Sequence, residues 1–137
     1  MSRPLHILCI DDEDDILEAV QMCLSFDGGF SVSVCKSGPE ALDFLDQVRP
    51  DLILLDVMMP KMDGPATFAA IRTIEAARDV PVIFMTARVQ SSEVEYYLKL
   101  GAIGVVPKPF DPVTLAAEIR KAFGAWVQKA GAHPGVA

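Results

Sequence analysis

Short apolar runs and amphipathic segments alternate along the chain. "LHILCI" (5–10), "SVSVC" (31–35), "LILL" (52–55), "VIFM" (82–85) and "IGVV" (103–106) each read as a strand. Between and after them, apolar residues recur three and four apart: Ile16, Val20, Cys23 and Leu24; Ala41, Leu42 and Leu45; Phe68, Ile71 and Ile74; Val94 and Leu98; Leu115, Ile119, Phe123 and Trp126. That spacing places each set on one face of a helix. Five strands alternating with five helices predict an α/β domain, a doubly wound parallel sheet covered on both faces. The punctuation agrees. Gly28-Gly29 closes the first helix, Ser37-Gly38-Pro39 opens the second, Pro50 precedes the third strand, and Ser91-Ser92-Glu93 offers N-caps to the fourth helix.

Length and composition narrow this picture. The 137 residues, 51% of them hydrophobic, suit one domain with an ample core. We expect that domain over residues 1–127, followed by a short C-terminal tail, 128–137, and no output domain. Nineteen acids against twelve bases give a net charge of −7, which opposes nucleic acid and anionic membranes as partners. No apolar run approaches the roughly 20 residues of a membrane span, and no signal-peptide pattern opens the chain, so a cytoplasmic protein is expected. Cys9, Cys23 and Cys35 are odd in number and lie inside apolar patterns. They read as buried thiols and not as a disulfide or metal site.

The polar residues that follow the strands point to chemistry. Ligands of an open parallel sheet bind at the carboxyl ends of its strands. After the first strand come Asp11 and Asp12, after the third Asp56, after the fourth Thr86, and after the fifth Pro107-Lys108-Pro109. In the order 2-1-3-4-5 the first and third strands are neighbours, so Asp11, Asp12 and Asp56 converge. Three carboxylates together call for a cation, and hard oxygen ligands without His or Cys favour Mg²⁺ or Mn²⁺ over zinc. The acids Glu13, Asp14 and Asp15 instead begin the first helix, at the positive end of its dipole. Asp56 suits a phosphoryl-accepting nucleophile, with Lys108 and the Thr86 hydroxyl placed to meet phosphoryl oxygens.

These residues resemble a known family. The pair Asp11-Asp12, "LILLDVMMPKMDG" (52–64), "FMTA" (84–87) and "VPKPF" (106–110), in this order and at these spacings, are similar to the receiver domain of two-component response regulators. The likeness covers about residues 5–125, and the flavodoxin-like strand order 2-1-3-4-5 is the family's own, so it is not an independent expectation. The resemblance implies a chain that accepts a phosphoryl group on Asp56 from a histidine kinase or histidine phosphotransfer protein and later hydrolyses it. Asp12, Asp56 and the Met58 carbonyl would be direct Mg²⁺ ligands, with Asp11 acting largely through water. Thr86 and Lys108 would be the switch pair, with the peptide before Pro109 cis and aiming Lys108 into the pocket. Ala87 follows Thr86 beside that switch. A downstream protein target is implied, met as a monomer or as a phosphorylation-dependent dimer.

Two places depart from the family pattern. Position 105 is Val, where members commonly carry Tyr or Phe three residues before the lysine; a valine cannot make the inward swing of that ring. Met58 and Arg88 stand two residues past the acceptor and two past the threonine, where we expect them to shield the phosphoryl group and slow its hydrolysis.

Other residues read more plainly. Met58, Met59, Met62 and Met85 are expected to fill core gaps. Of the adjacent Tyr96 and Tyr97 one should be exposed. Trp126 belongs to core or rim, and His6 and His133 have no metal-ligand companions. Three alternatives stand beside a phosphorylatable stand-alone receiver. A pseudo-receiver binding module is opposed by the complete acid, threonine and lysine set. A Mg²⁺-dependent aspartyl-phosphate phosphohydrolase would need an acid where Met58 stands. A flavin domain would place its phosphate against Asp11 and Asp12.

Overall fold

The computed structural model describes residues 3–27 and 29–129. Its elements run β1 (His6–Ile10), α1 (Asp14–Met22), β2 (Ser31–Cys35), α2 (Gly38–Leu45), β3 (Leu52–Asp56), α3 (Gly64–Ile71), β4 (Val82–Thr86), α4 (Ser91–Leu100), β5 (Gly104–Pro107) and α5 (Leu115–Lys129). Of the expected tail, residues 128 and 129 continue α5, and the rest, His133 included, lies outside the described residues, as does Gly28.

The strands form one parallel sheet in the order β2-β1-β3-β4-β5. Every residue of β3 and β4 is buried, which explains why their sequences are apolar without alternation. One face of the sheet, with Leu8, Ile10, Ile53, Leu55, Val82 and Phe84, packs against Ala41, Leu45, Phe68, Ile71 and Tyr97 of α2, α3 and α4. The other, with Ile7, Cys9, Leu52, Leu54, Ile83 and Met85, packs against Leu17, Val20, Leu115 and Ile119 of α1 and α5. Burying a side chain of this size stabilises by about 1.5–3 kcal/mol, so the two layers together fix the strand ends relative to one another. The three thiols are free and buried.

Several expectations change in detail. α1 does not stop at a glycine: it passes into a π turn over Cys23–Asp27, and Gly29 then adopts a φ of 69°. The N-cap of α4 is Gln90, which makes no side-chain cap; the Ser92 hydroxyl donates to Glu93 instead. On α4 the buried residue is Tyr97 and not Leu98, which is 44% exposed. Both lie one turn from Val94, and the ring of Tyr97 reaches Phe84, with centroids 4.9 Å apart. As expected of adjacent tyrosines, Tyr96 faces outward. Met59 and Met85 are buried, but Met58 is 77% exposed and fills no core gap.

Candidate functional site

Four strand ends deliver the polar residues to one edge. Asp11 extends β1: its N–H donates to Cys35 O at 3.1 Å, and its side chain is fully buried. Its Oδ1 accepts the Glu13 N–H at 2.8 Å. Asp11 therefore shapes the entry to α1, whereas Glu13 occupies the N-cap position without a side-chain cap; Asp14 and Asp15 fill the first turn. Asp12 beside it is exposed.

Asp56 closes β3 and is 1% exposed. Its Oδ1 accepts the Met58 N–H at 3.3 Å, and its Oδ2 is buried with no hydrogen-bond donor. The loop that follows is drawn tight. Lys61 takes a φ of 68°, and the Gly64 N–H returns to Val57 O at 2.9 Å. A Cβ at Gly64 would stand 2.5 Å from Asp56 O and 2.8 Å from Val57 Cα, so only glycine admits this approach. Asp63 then caps α3 by accepting the Ala66 N–H at 2.9 Å, with Pro65 in the first turn. Neither Gly64 nor Asp63 stands among the residues singled out from the sequence, although "DGP" after a polar loop is a helix-start signal.

Thr86 ends β4, 5% exposed, and its Oγ1 accepts the Arg88 N–H at 3.1 Å. That bond uses an oxygen lone pair and leaves the hydroxyl proton available to another acceptor. The Lys108 N–H donates to Thr86 O at 2.9 Å, and the Lys108–Pro109 peptide is cis. From there Lys108 Nζ lies 2.8 Å from Asp11 Oδ2, 3.3 Å from Asp56 Oδ1 and 3.8 Å from Glu13 Oε2. At 2.8 Å the Asp11 carboxylate is the nearest of the three to the ammonium.

Negative charge exceeds positive in this pocket. Carboxylate oxygens of Asp11, Asp12 and Asp56 all lie within 4.8 Å of one another. Burial, and then Asp11, push the Asp56 carboxyl up to about 6, while Lys108 and the Met58 N–H pull it back. Burial disfavours the Lys108 ammonium, but Asp11 and Asp56 outweigh that and raise its pKa. Three carboxylates whose oxygens come together, two of them beside the Lys108 ammonium and one of them, Asp56, with an unanswered Oδ2, fit a divalent cation of the Mg²⁺ type.

The remaining residues singled out from the sequence surround this pocket or stand apart from it. Ala87, Arg88 and Pro109 are exposed. Met58 is exposed next to Asp56, to which its own N–H is bonded. Val105 pairs with Phe84 in the sheet and is half-buried against the α3–α4 side of the core.

Comparison with known proteins follows the same lines. Residues 7–120 match the family described as the response regulator receiver domain. The transcriptional regulatory protein CseB of Streptomyces avermitilis is 41% identical over 120 residues, covering 88% of this chain and 49% of that protein. The response regulator MprA of a Mycobacterium species is 39% identical over 117 residues, 85% of this chain and 50% of that one. The chain thus spans about half the length of these curated relatives. Among solved structures, the chemotaxis response regulator CheY4 of Vibrio cholerae superposes with a TM-score of 0.80 at 29% identity, over 87% of this chain and 98% of that one. The receiver domain of a sensor histidine kinase from Pseudomonas aeruginosa, with a magnesium ion coordinated in its active-site cleft, gives 0.76 at 27% identity, over 88% and 98%.

Proposed function

This chain belongs to the response regulator receiver domains of two-component signalling, and from that premise we propose that it accepts a phosphoryl group on Asp56 and signals by protein contact. The observation that carries the reading is the state of Asp56: buried, flanked by Asp11 and Lys108, with one oxygen that no donor answers. A carboxylate left unanswered in the interior is destabilised as a charge and kept available as a nucleophile.

In the proposed reaction an oxygen of Asp56 attacks the phosphorus of a phosphohistidine on a histidine kinase or phosphotransfer protein. The O–P bond forms, the N–P bond breaks, and the imidazole leaves to take a proton from solvent. Asp11, Asp12, Asp56 and the Met58 carbonyl would hold Mg²⁺, whose chemistry is to neutralise charge between carboxylate and phosphoryl oxygens. Lys108, already beside Asp56, exchanges its carboxylate contacts for a phosphoryl oxygen. Thr86 donates its free hydroxyl proton to another. Water later attacks phosphorus, the Asp56 O–P bond breaks, and inorganic phosphate leaves with the carboxylate regenerated; exposed Met58 and Arg88 are placed to slow the approach of that water.

Output through a protein target is supported by the acidic balance of the sequence, −7, which opposes nucleic acid. Residues 1–127 forming the receiver unit, and a cytoplasmic location, are part of the same proposal. Among the described residues no helix is long and apolar enough to cross a membrane.

The test is intact-protein mass after incubation with acetyl phosphate, with and without Mg²⁺. One added phosphoryl group is expected with Mg²⁺, and none in Asp56→Asn. No gain in a folded wild-type protein would overturn the reading and favour a binding module whose signalling bypasses Asp56.

A further inference from the structure

Four aromatic rings lie in contact from the interior to the surface on the α3–α4 side of the sheet. Phe68 of α3 meets Phe84 of β4 with centroids 5.6 Å apart; Phe84 meets Tyr97 of α4 at 4.9 Å; Tyr97 meets Tyr96 at 5.2 Å. Phe84 is fully buried, Tyr97 is 8% exposed and Tyr96 is 53% exposed. The inner end is clamped, because the Arg72 guanidinium lies over the Phe68 ring at 4.4 Å while donating to Val80 O at 2.9 Å. The outer end is open to solvent.

This series starts two residues from the candidate site. Phe84 and Thr86 point to the same face of β4, because side chains alternate along a strand. Displacement of Thr86 toward an acceptor on Asp56 therefore acts on the strand that carries Phe84. Phe84 is fully buried, and close-packed interiors transmit strain. Its partner across the sheet in β5 is Val105, a small side chain, so the ring nearest to Phe84 comes from α4. Tyr97 is suited to move. Among the described residues its hydroxyl makes no hydrogen bond that would have to break. Its surroundings also hold it neutral: burial first, then Tyr96, Glu93 and Asp63, raise its pKa. Its backbone carbonyl accepts the Ala102 N–H at 3.2 Å, which fixes the end of α4 to the start of β5 while the ring remains the adjustable part.

We propose that Tyr97 carries the phosphorylation state of Asp56 to the surface, its ring following Phe84 when Thr86 engages the phosphoryl group and so displacing Tyr96 on the exposed face of α4. Tyr97 is a positioning residue: it touches neither phosphoryl group nor metal. The inference rests on the phosphoacceptor reading given above, and its test reports on both separately.

The chain holds two tyrosines, Tyr96 and Tyr97, so protein grown with 3-fluorotyrosine has two ¹⁹F resonances, which Tyr96→Phe assigns. Spectra are recorded with Mg²⁺ before and after acetyl phosphate, and intact mass is measured on the same samples. Both resonances are expected to shift on phosphorylation in wild type, and neither in Asp56→Asn. In Tyr97→Leu the mass gain should persist while the Tyr96 resonance stays within its linewidth; in Tyr97→Phe, which keeps the ring, it should shift as in wild type. Should the leucine variant unfold, Tyr97→Met fills the volume without a ring and takes its place. A phosphorylated wild type whose Tyr97 resonance does not move would overturn the inference, as would a full Tyr96 shift in the ringless variant. No mass gain in the folded wild type would overturn the phosphoacceptor reading and this inference with it.

Discussion

Two aspartates bracket β3, and the fold treats them in opposite ways. Asp51, just before the strand, accepts an N–H from each terminal nitrogen of the Arg3 guanidinium, at 2.6 and 2.9 Å, and the His6 N–H at 2.8 Å. Those Arg3 hydrogen bonds, first among the causes, hold its carboxyl below the usual range. Asp56, at the far end, has one long backbone bond of 3.3 Å, a shared ammonium, and an oxygen with no donor, and burial pushes it up to about 6. Residue type and strand are the same; what differs is whether donors within the chain answer the charge. At one edge the answer is complete and the group serves the fold. At the other it is incomplete, and the deficit is what an external cation and phosphoryl group would fill.

Removing the Lys108 ammonium from the deficient edge should have the largest effect. Lys108→Met leaves Asp11 and Asp56 facing each other, and a loss of about 2–4 kcal/mol in urea unfolding is expected near neutral pH without divalent cations. Part should return near pH 5, where a carboxyl protonates, and part on adding Mg²⁺. An unchanged midpoint would mean that Lys108 does not hold the acids together.

Asp56→Asn should act in the opposite direction, a gain of about 1–3 kcal/mol near neutral pH. The folded pKa of Asp56 is raised from 3.8 to about 6. The stability tied to its protonated form is thus fully present below about pH 4 and lost as pH rises through about 6. The advantage of the asparagine should therefore vanish on acidification through that window, and a constant advantage would place its origin elsewhere.

At the satisfied edge the effect is smaller and of reversed sign. Asp51→Asn should lose about 1 kcal/mol near neutral pH, because the Arg3 side chain is largely exposed and its charge is screened. With the folded pKa of Asp51 lowered, its contribution is present above the ordinary value and disappears as pH falls through the depressed one. Opposite pH slopes in the two variants would sharpen the contrast, and parallel slopes would break it.

Much of this was legible in the sequence because a two-sided core imposes strict demands. A strand covered on both faces must be apolar at every position, so "LILL" and "VIFM" announced β3 and β4. The acids stood out because they interrupt that pattern at the strand ends. What stayed hidden depends on reach and direction. Tyr97 and Leu98 fit the α4 stripe about equally, and only the contact with Phe84 selects the ring. Asp11 proved to have two tasks, orienting the Glu13 N–H with one oxygen and meeting Lys108 with the other, which no spacing rule encodes. Met58 looked like packing because methionine usually is, yet the tight turn enforced at Gly64 leaves it outside. Gln90 displaced the serines as the N-cap of α4 without bonding through its side chain, so capping chemistry did not choose that boundary.

The buried thiols have a practical consequence. Cys9 is fully enclosed and its ionisation strongly suppressed, burial pushes Cys35 up to about 11, and Cys23 donates to Pro112 O. Since the thiolate is the reactive species, the native chain presents an alkylating reagent or a maleimide dye with almost nothing to modify. One cysteine introduced on the outer side of α4, for instance Glu95→Cys, would then be a selective attachment point for a fluorophore without any prior removal of native residues.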